Sequence, residues 1–311
     1  MHIKIRREHW IIYIFNIKED MVMKISINQA AKELLNSHLE KLEEHLSADV
    51  LSYYGPIMSG VESIFLRAVE GLTVGKDEQC ERVLYIILTT LGGSAEAVER
   101  CVNIVRHHYD EVNFIVPNYA YSAGTIFCMS GDRIFMDYYS VLGPIDPQVE
   151  SKGETMVPAL GYLDKINELL EKSRAGILTD AEFLILKDFD LAELRSYEQA
   201  KELTIDQLKK WLVKYKFKKW DKHKNGKTVT QREKVKTAEK IAKILSDTKI
   251  WKTHGRPIDI VSLEKDVGLE IDDFGKKKDL RDAIRIYDTF AVDFITQNKY
   301  RWLIHTRKDL L

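Results

Sequence analysis

An α/β architecture, a mostly parallel sheet layered between helices, is what three features of the 311-residue sequence predict. Strand-like, turn-like and helix-like stretches alternate three times between residues 50 and 136. The middle strand candidate, VLYIILT at residues 83–89, is apolar without interruption, as strands covered on both faces are. Each passage from strand to helix is broken by glycine or serine, residues that turn chains and cap helices. Such alternation calls for parallel strands joined by right-handed crossovers.

Residues 1–27 read as a leader, disordered or paired as a strand. Its apolar stretch at 9–17 (HWIIYIFNI) is shorter than the about 20 apolar residues that cross a bilayer. Lys18, Glu19 and Asp20 follow where a cleavage site would need small residues. Over residues 28–46, Ala31, Leu34, Leu35, Leu39, Leu42 and Leu46 recur at helical spacing. Residues 50–54 read as a strand and Gly55 and Pro56 as a turn; a helix then opens at Ser59 and runs through Phe65, Leu66 and Val69 to Leu72. The strand at 83–89 breaks at Gly92 and Gly93, and Ser94 opens a helix carrying Ala97, Cys101, Ile104 and Val105. The third unit is a strand at 112–116, a helix at 122–129 and a strand at 134–136. Residues 28–159 would form this core. Residues 160–248 hold helical runs at 162–170, 179–189, 191–203, 205–215 and 230–245, a partly basic insertion. Residues 249–311 complete the core, with a segment at 258–271 and a closing helix from Leu280 to about Trp302.

At 45% hydrophobic and 31% charged residues, the chain is globular rather than disordered, collagen-like or disulfide-stapled. Lys and Arg total 47 against 48 Asp and Glu, a net charge of -1 that predicts no polyanionic partner from bulk charge. Cys80, Cys101 and Cys128, odd in number and far apart, read as reduced core thiols of a cytoplasmic protein. With no phosphate-cradling glycine motif, no H-E-x-x-H and no paired cysteines, no cofactor and no metal are expected. His107 and His108 read as partners for carbonyls at a helix end.

Two turns stand out. At residues 90–94 (TLGGS), Gly92 and Gly93 let the backbone bend sharply and bare its N–H groups toward an anion, although a plain connection would use the same residues. At residues 118–125 (NYAYSAGT) a second strand end enters a helix. Ser122 falls in the first turn, where orphan N–H groups favour a nearby oxyanion, and Ala123 and Gly124 are small enough for a substrate backbone to approach. An ordinary helix cap would also be a serine. Gly93 and Ser122 lie 29 residues apart, one helix plus one strand, so adjacent parallel strands would deliver both turns to one sheet edge. One turn then offers a nucleophile and the other offers donors for a tetrahedral oxyanion.

The stretches LGGSAEAVER (91–100), NYAYSAGTIFCMSGDRIFMDYYSVLGPIDPQVE (118–150), DLAELRSYEQA (190–200), WLVKYKFKKW (211–220) and WKTHGRPI (251–258) resemble the serine dehydrogenase proteinase family, within the Clp-peptidase and crotonase-like fold group. The resemblance runs from about residue 45 to the last helix. It implies a Clp/crotonase-like spiral of βαβ units with a helical insertion subdomain. It further implies a nucleophilic Ser122, an oxyanion hole from the Gly93 and Ala123 amides, a cleft bordered by Gly92, Tyr121 and Gly124, protein or peptide substrates, and a homo-oligomer. The family pattern usually has Pro at the position of Leu91 and Met at that of Tyr121; neither change removes a catalytic atom, but Tyr121 narrows the cleft.

A serine hydroxyl needs a base. Where Clp peptidases place their histidine, residues 142–147 (LGPIDP) hold Asp146, and the stretch matching their aspartate holds His254, ahead of Gly268 and Leu269. The resemblance therefore implies exchanged roles, with His254 as general base and Asp146 as its orienting carboxylate. A bland reading gives His254 to a turn and makes Asp146 a cap for Pro147. The competing mechanism is a Ser–Lys dyad with Lys165, closer in spacing than Lys152. A lysine base must be buried, whereas Lys165 lies among Asp164, Glu168 and Glu171, so it ranks second.

Residues 207–244 hold fourteen Lys and Arg against three Asp and Glu, interleaved with Trp211, Tyr215, Phe217 and Trp220. Residues 241–245 and 260–269 resemble two helices joined by a turn, and such a face grips nucleic acid. A solvated face whose aromatics pack inward is the preferred reading. A Clp-fold serine peptidase is the leading function. The alternatives are crotonase-like acyl-CoA chemistry on the same oxyanion hole, without a serine nucleophile, and a non-catalytic scaffold or nucleic-acid binder.

Overall fold

The computed structural model describes residues 11–14, 23–75, 82–150, 156–223 and 225–311. At its start Ile11–Ile14 (β1) pairs antiparallel with Met23–Ser26 (β2). Residues 1–10 and 15–22 of the expected leader lie outside the described residues, as do Cys80 and Lys152.

Ile27–Leu46 forms α1, with Leu35, Leu39 and Leu42 on its buried stripe. The alternating units follow as β3 (Asp49–Tyr54), α2 (Val61–Thr73), β4 (Val83–Thr89), α3 (Ala95–His108), β5 (Glu111–Ile115), β6 (Tyr119–Ala120), α4 (Ala123–Cys128), β7 (Arg133–Met136) and β8 (Val141–Leu142). Helix α2 opens after Gly60 rather than at Ser59, because the Glu62 carboxylate accepts the Gly60 N–H at 2.8 Å. Ser94 caps α3 as expected, its hydroxyl accepting the Ala97 N–H at 3.0 Å. Beyond them lie β9 (Gln148–Glu150), β10 (Met156–Pro158), α5 (Ala159–Arg174), α6 (Asp180–Lys187), α7 (Leu191–Trp211), α8 (Gln231–Ser246), α9 (Thr248–Trp251), α10 (Ile260–Ser262), β11 (Asp272–Asp273), α11 (Lys278–Asn298) and β12 (Leu303–His305).

One sheet runs in the order β11-β7-β5-β4-β3-β12, parallel throughout except for β12. Side chains alternate across it. Leu51, Tyr53, Ile86, Leu88 and Phe114 pack with α2, α3 and α4, whereas Val50, Tyr54, Tyr85, Ile87 and Ile115 pack with α1 and α11. Both faces are covered, which explains the uninterrupted apolar run in β4; burying each such side chain contributes about 1.5–3 kcal/mol.

Three expectations need correction. The runs at 191–203 and 205–215 are one helix, α7, continued by a π turn at Leu212–Lys216. Thr204, which falls between the two runs, donates its hydroxyl to the Ala200 carbonyl at 3.0 Å and stays within the helix. The closing helix stops at Asn298, where Lys299 takes a left-handed φ of 56°, and the chain returns as β12, antiparallel to β3. A three-residue strand is too short to carry a periodic signal. Finally, the segments at 241–245 and 260–269, read as two helices joined by a turn, are separated by α9 and the loop that carries His254. Ile241, Ala242, Leu245, Leu263, Val267 and Leu269 are buried in the same core as α2 and α3, beside Trp211 and Phe217.

Candidate active site

Strands β4 and β5 are parallel neighbours, so the chain leaves both at the same end of the sheet. Thr90 then donates its N–H to the Tyr119 carbonyl at 3.1 Å, and its carbonyl accepts the Tyr121 N–H at 3.0 Å. These bonds lay the glycine bend beside the serine turn. Gly92 has a φ of +109°, and a Cβ there would stand 2.8 Å from that of Ser122. Gly93 has a φ of +146°, and its Cβ would meet the Ile57 carbonyl oxygen at 2.1 Å. Conformation and space both demand glycine at these two positions. The Gly92 N–H is held by the Thr90 hydroxyl at 3.0 Å and the Ser94 N–H by the Ile57 carbonyl at 2.8 Å. Among the described residues neither the Gly93 nor the Ala123 N–H donates a backbone hydrogen bond.

Ser122 itself has φ 53° and ψ -117°, a strained combination for a residue with a Cβ. An ordinary cap takes extended dihedrals and accepts an N–H from the helix. Ser122 does neither, and its side chain caps nothing. It is half-buried, between the buried Ala123 and solvent.

The loop after β8 reaches a second segment by backbone pairing. Leu142 and Ile258 exchange two hydrogen bonds, at 3.0 and 2.9 Å, as an antiparallel bridge. Carried four residues onward, that register sets Asp146 opposite His254, and Nδ1 of His254 lies 3.0 Å from Oδ1 of Asp146. The Asp146 side chain is 1% exposed and that of His254 24%. The other Asp146 oxygen, Oδ2, accepts from Nε2 of Gln148 at 2.9 Å. A carboxylate can only accept, so a neutral His254 ring hydrogen-bonded to it donates from Nδ1 and carries its lone pair on Nε2.

The two loops also touch each other. Ala120 pairs with Leu142, and the Tyr121 ring lies so close over Gly143 that a Cβ there would come within 2.3 Å. Thr125, wholly buried on α4, ties them together: its hydroxyl shares its one proton between the Ala120 carbonyl at 2.7 Å and the Gly143 carbonyl at 2.9 Å, and accepts the Gly143 N–H at 3.0 Å. Sequence reading singled out neither Thr125 nor Gln148. The available signal was a hydroxyl residue in an otherwise apolar buried turn, and an amide two places beyond an aspartate.

The remaining expected residues sit differently. Gly124 is buried, and a Cβ there would press on the Thr90 methyl at 2.4 Å; its smallness serves the packing of α4 against the glycine bend. Tyr121 is half-buried, its ring tilted against Tyr119 at 5.8 Å. Lys165 lies on α5 with its ammonium bonded to Glu168 at 3.0 Å, without the burial a lysine base requires. Cys101 and Cys128 are buried and unpaired, and burial pushes the Cys101 thiol up to about 12, which suits packing and not nucleophilic attack.

A family model described as ClpP-like SDH-type serine proteinase matches residues 65–289, from within α2 to within α11. The chain belongs to this family. The matched stretch contains the glycine bend, Ser122, Asp146 and His254. Two relatives from Methanocaldococcus jannaschii, the uncharacterized proteins MJ0137 and MJ1495, are each 29% identical to it, over 192 and 186 residues. These alignments cover 62% and 60% of this chain and 54% and 51% of theirs, so the chain spans about half the length of the curated relatives it matches. Among the described residues of this SDH-type chain, no helix is long and apolar enough to cross a membrane, and no group of three or more His, Cys, Asp or Glu gathers as metal ligands.

Proposed function

We propose that this SDH-type family member is a serine peptidase. Ser122 attacks the substrate carbonyl while His254 takes the hydroxyl proton at Nε2, and Asp146 orients and stabilises the imidazolium through Nδ1. The N–H groups of Gly93 and Ala123 receive the negative charge that develops on the carbonyl oxygen. His254 then returns the proton to the leaving amine, and water releases the acyl group by the same path reversed. The observation that carries the reading is the 3.0 Å contact between Asp146 and His254, a buried carboxylate against a solvent-reachable imidazole, with the Asp146 loop bonded to the Ser122 turn. It favours a histidine base over Lys165, which is engaged with Glu168.

A fluorophosphonate probe tests the proposal: the wild-type protein is labelled, and Ser122→Ala is not. Labelling that persists in Ser122→Ala overturns the reading. A competent acyl-CoA enzyme that resists the probe would support crotonase-like chemistry instead.

A further inference from the structure

In this nearly neutral chain, residues 207–244 carry fourteen Lys and Arg against three Asp and Glu. Helix α8 buries Ala238, Ile241, Ala242 and Leu245 in the core. Its opposite side presents Arg232, Lys236, Lys240 and Lys243 to solvent, one stripe at helical spacing. Lys243 is bonded to Glu239 at 2.7 Å; among the described residues, Arg232, Lys236 and Lys240 have no acidic partner within ion-pair distance. The 16 residues of α8 span about 24 Å, so the stripe is a track rather than a point charge.

The helix that carries the stripe ends beside the loops of the site. The Leu245 carbonyl, in the last turn of α8, accepts the N–H of Ile145, the neighbour of Asp146, at 3.0 Å. One turn on, the Trp251 indole donates to the Ile244 carbonyl at 2.7 Å and fixes the start of the His254 loop. Exposed Lys252 and Arg256 flank His254 in that loop. An extended chain lying along the stripe would therefore be delivered toward the pair of loops that carry Asp146 and His254.

We infer that the α8 face captures acidic polypeptide segments and feeds them to the active site; the capture stands on the charge geometry, and its purpose rests on the peptidase reading. The aromatics decide against single-stranded nucleic acid, the other polyanion the segment suggests. Stacking of bases on exposed rings contributes much of single-strand binding. Here Trp211, Phe217 and Trp251 are buried at 2%, 9% and 7% exposure, and the Trp220 ring packs on Phe217 and His223 at 5.2 and 5.6 Å. Tyr215 and Trp220 are only half-buried, but their rings are already engaged, Trp220 as above and Tyr215 under the Arg106 guanidinium at 3.8 Å, so the surface offers mainly charge, a match for carboxylates and a source of electrostatic steering.

The test uses the full chain as Ser122→Ala, so that nothing is cleaved, and as the same protein with Arg232→Glu, Lys236→Glu and Lys240→Glu. Fluorescence anisotropy follows a labelled Asp/Glu-rich peptide and its Asn/Gln counterpart. The acidic peptide is expected to bind more tightly, to weaken as salt is raised, and to lose about tenfold or more in affinity on charge reversal, while the neutral counterpart barely changes. With the serine restored, the reversed variant should take the fluorophosphonate at the wild-type rate. Equal binding of the two peptides, or indifference to charge reversal, overturns the inference. So does an oligonucleotide that is retained at low salt and that the acidic peptide does not displace. Failure of the peptidase reading shows separately, as absent labelling of the wild-type protein, and leaves the anisotropy result to decide the capture.

Discussion

His254 and His305 are both fixed through the ring by hydrogen bonds, in two regions of the molecule with opposite solutions to the same problem. His254 gives one nitrogen to a buried carboxylate and keeps a side chain 24% exposed. His305, on β12, uses both nitrogens: Nδ1 meets the Tyr287 hydroxyl at 2.9 Å, and Nε2 meets Oδ1 of Asn36 at 2.7 Å. Tyr287 in turn bonds Ser52 of β3, making a serine–tyrosine–histidine row that resembles a reactive centre on paper. Yet His305 is fully buried, has no carboxylate beside it among the described residues, and burial pushes its pKa down to about 4. The row joins α1, β3, α11 and β12. Proton transfer needs a lone pair that a substrate can reach and a charge to stabilise the imidazolium; hydrogen bonds alone give a clasp.

The largest expected difference lies in the serines. Ser122→Ala should abolish labelling and peptide cleavage, whereas Ser52→Ala should leave the labelling rate intact and lower only the melting temperature. Next come the histidines themselves. His254→Ala is expected to lower kcat/KM by about 10²–10⁴-fold, the range of a lost general base. His305→Ala should leave kcat/KM within about twofold while destabilising the fold by removing two hydrogen bonds, one buried and one partly so. Similar kinetic losses at both positions would break the contrast.

The same pair predicts a pH dependence of stability. His305 takes up its proton at about 4 in the folded protein against an ordinary 6.5 in the unfolded chain. Its depressed value means that the stability it contributes is complete above 6.5 and is lost as the pH falls through the interval to about 4. The loss amounts to about 3 kcal/mol below that interval. Denaturant midpoints of the wild type and His305→Gln should therefore converge as the pH is lowered across this window. Parallel pH profiles for the two proteins would show that the clasp does not exclude the proton.

What was legible in the sequence followed from short-range rules. Gly92 and Gly93 announced a bend because no other residue takes their φ values, and the run at residues 83–89 announced a doubly covered strand. Asp146 and His254, 108 residues apart, came from family resemblance, because nothing local marks a pairing made by the Leu142–Ile258 bridge. The strand at Leu303–His305 and the Tyr287–His305 clasp were invisible for the same reason: each is created by contacts distant in the chain and leaves no period or motif behind. The serine turn shows the limit from the other side. Its residue type fitted a cap, and only the dihedral angles distinguished a strained, uncapped Ser122 from an ordinary helix start.

The smallest predicted effect sharpens the contrast most, because it separates positioning from packing at one atom. The Thr125 hydroxyl serves three backbone groups, one on the strand before Ser122 and two on the loop before Asp146. Thr125→Val keeps the shape but leaves the Gly143 N–H without its partner, so the two loops lose their common anchor. If alignment of Ser122 with His254 depends on that anchor, kcat should fall about tenfold with KM little changed, since the reacting groups and not the cleft are displaced. Thr125→Ser restores the hydroxyl and should restore kcat, even though it removes a buried methyl and costs some stability. A purely structural threonine would behave the other way: both variants would lower the melting temperature, and neither would change turnover in the protein that remains folded.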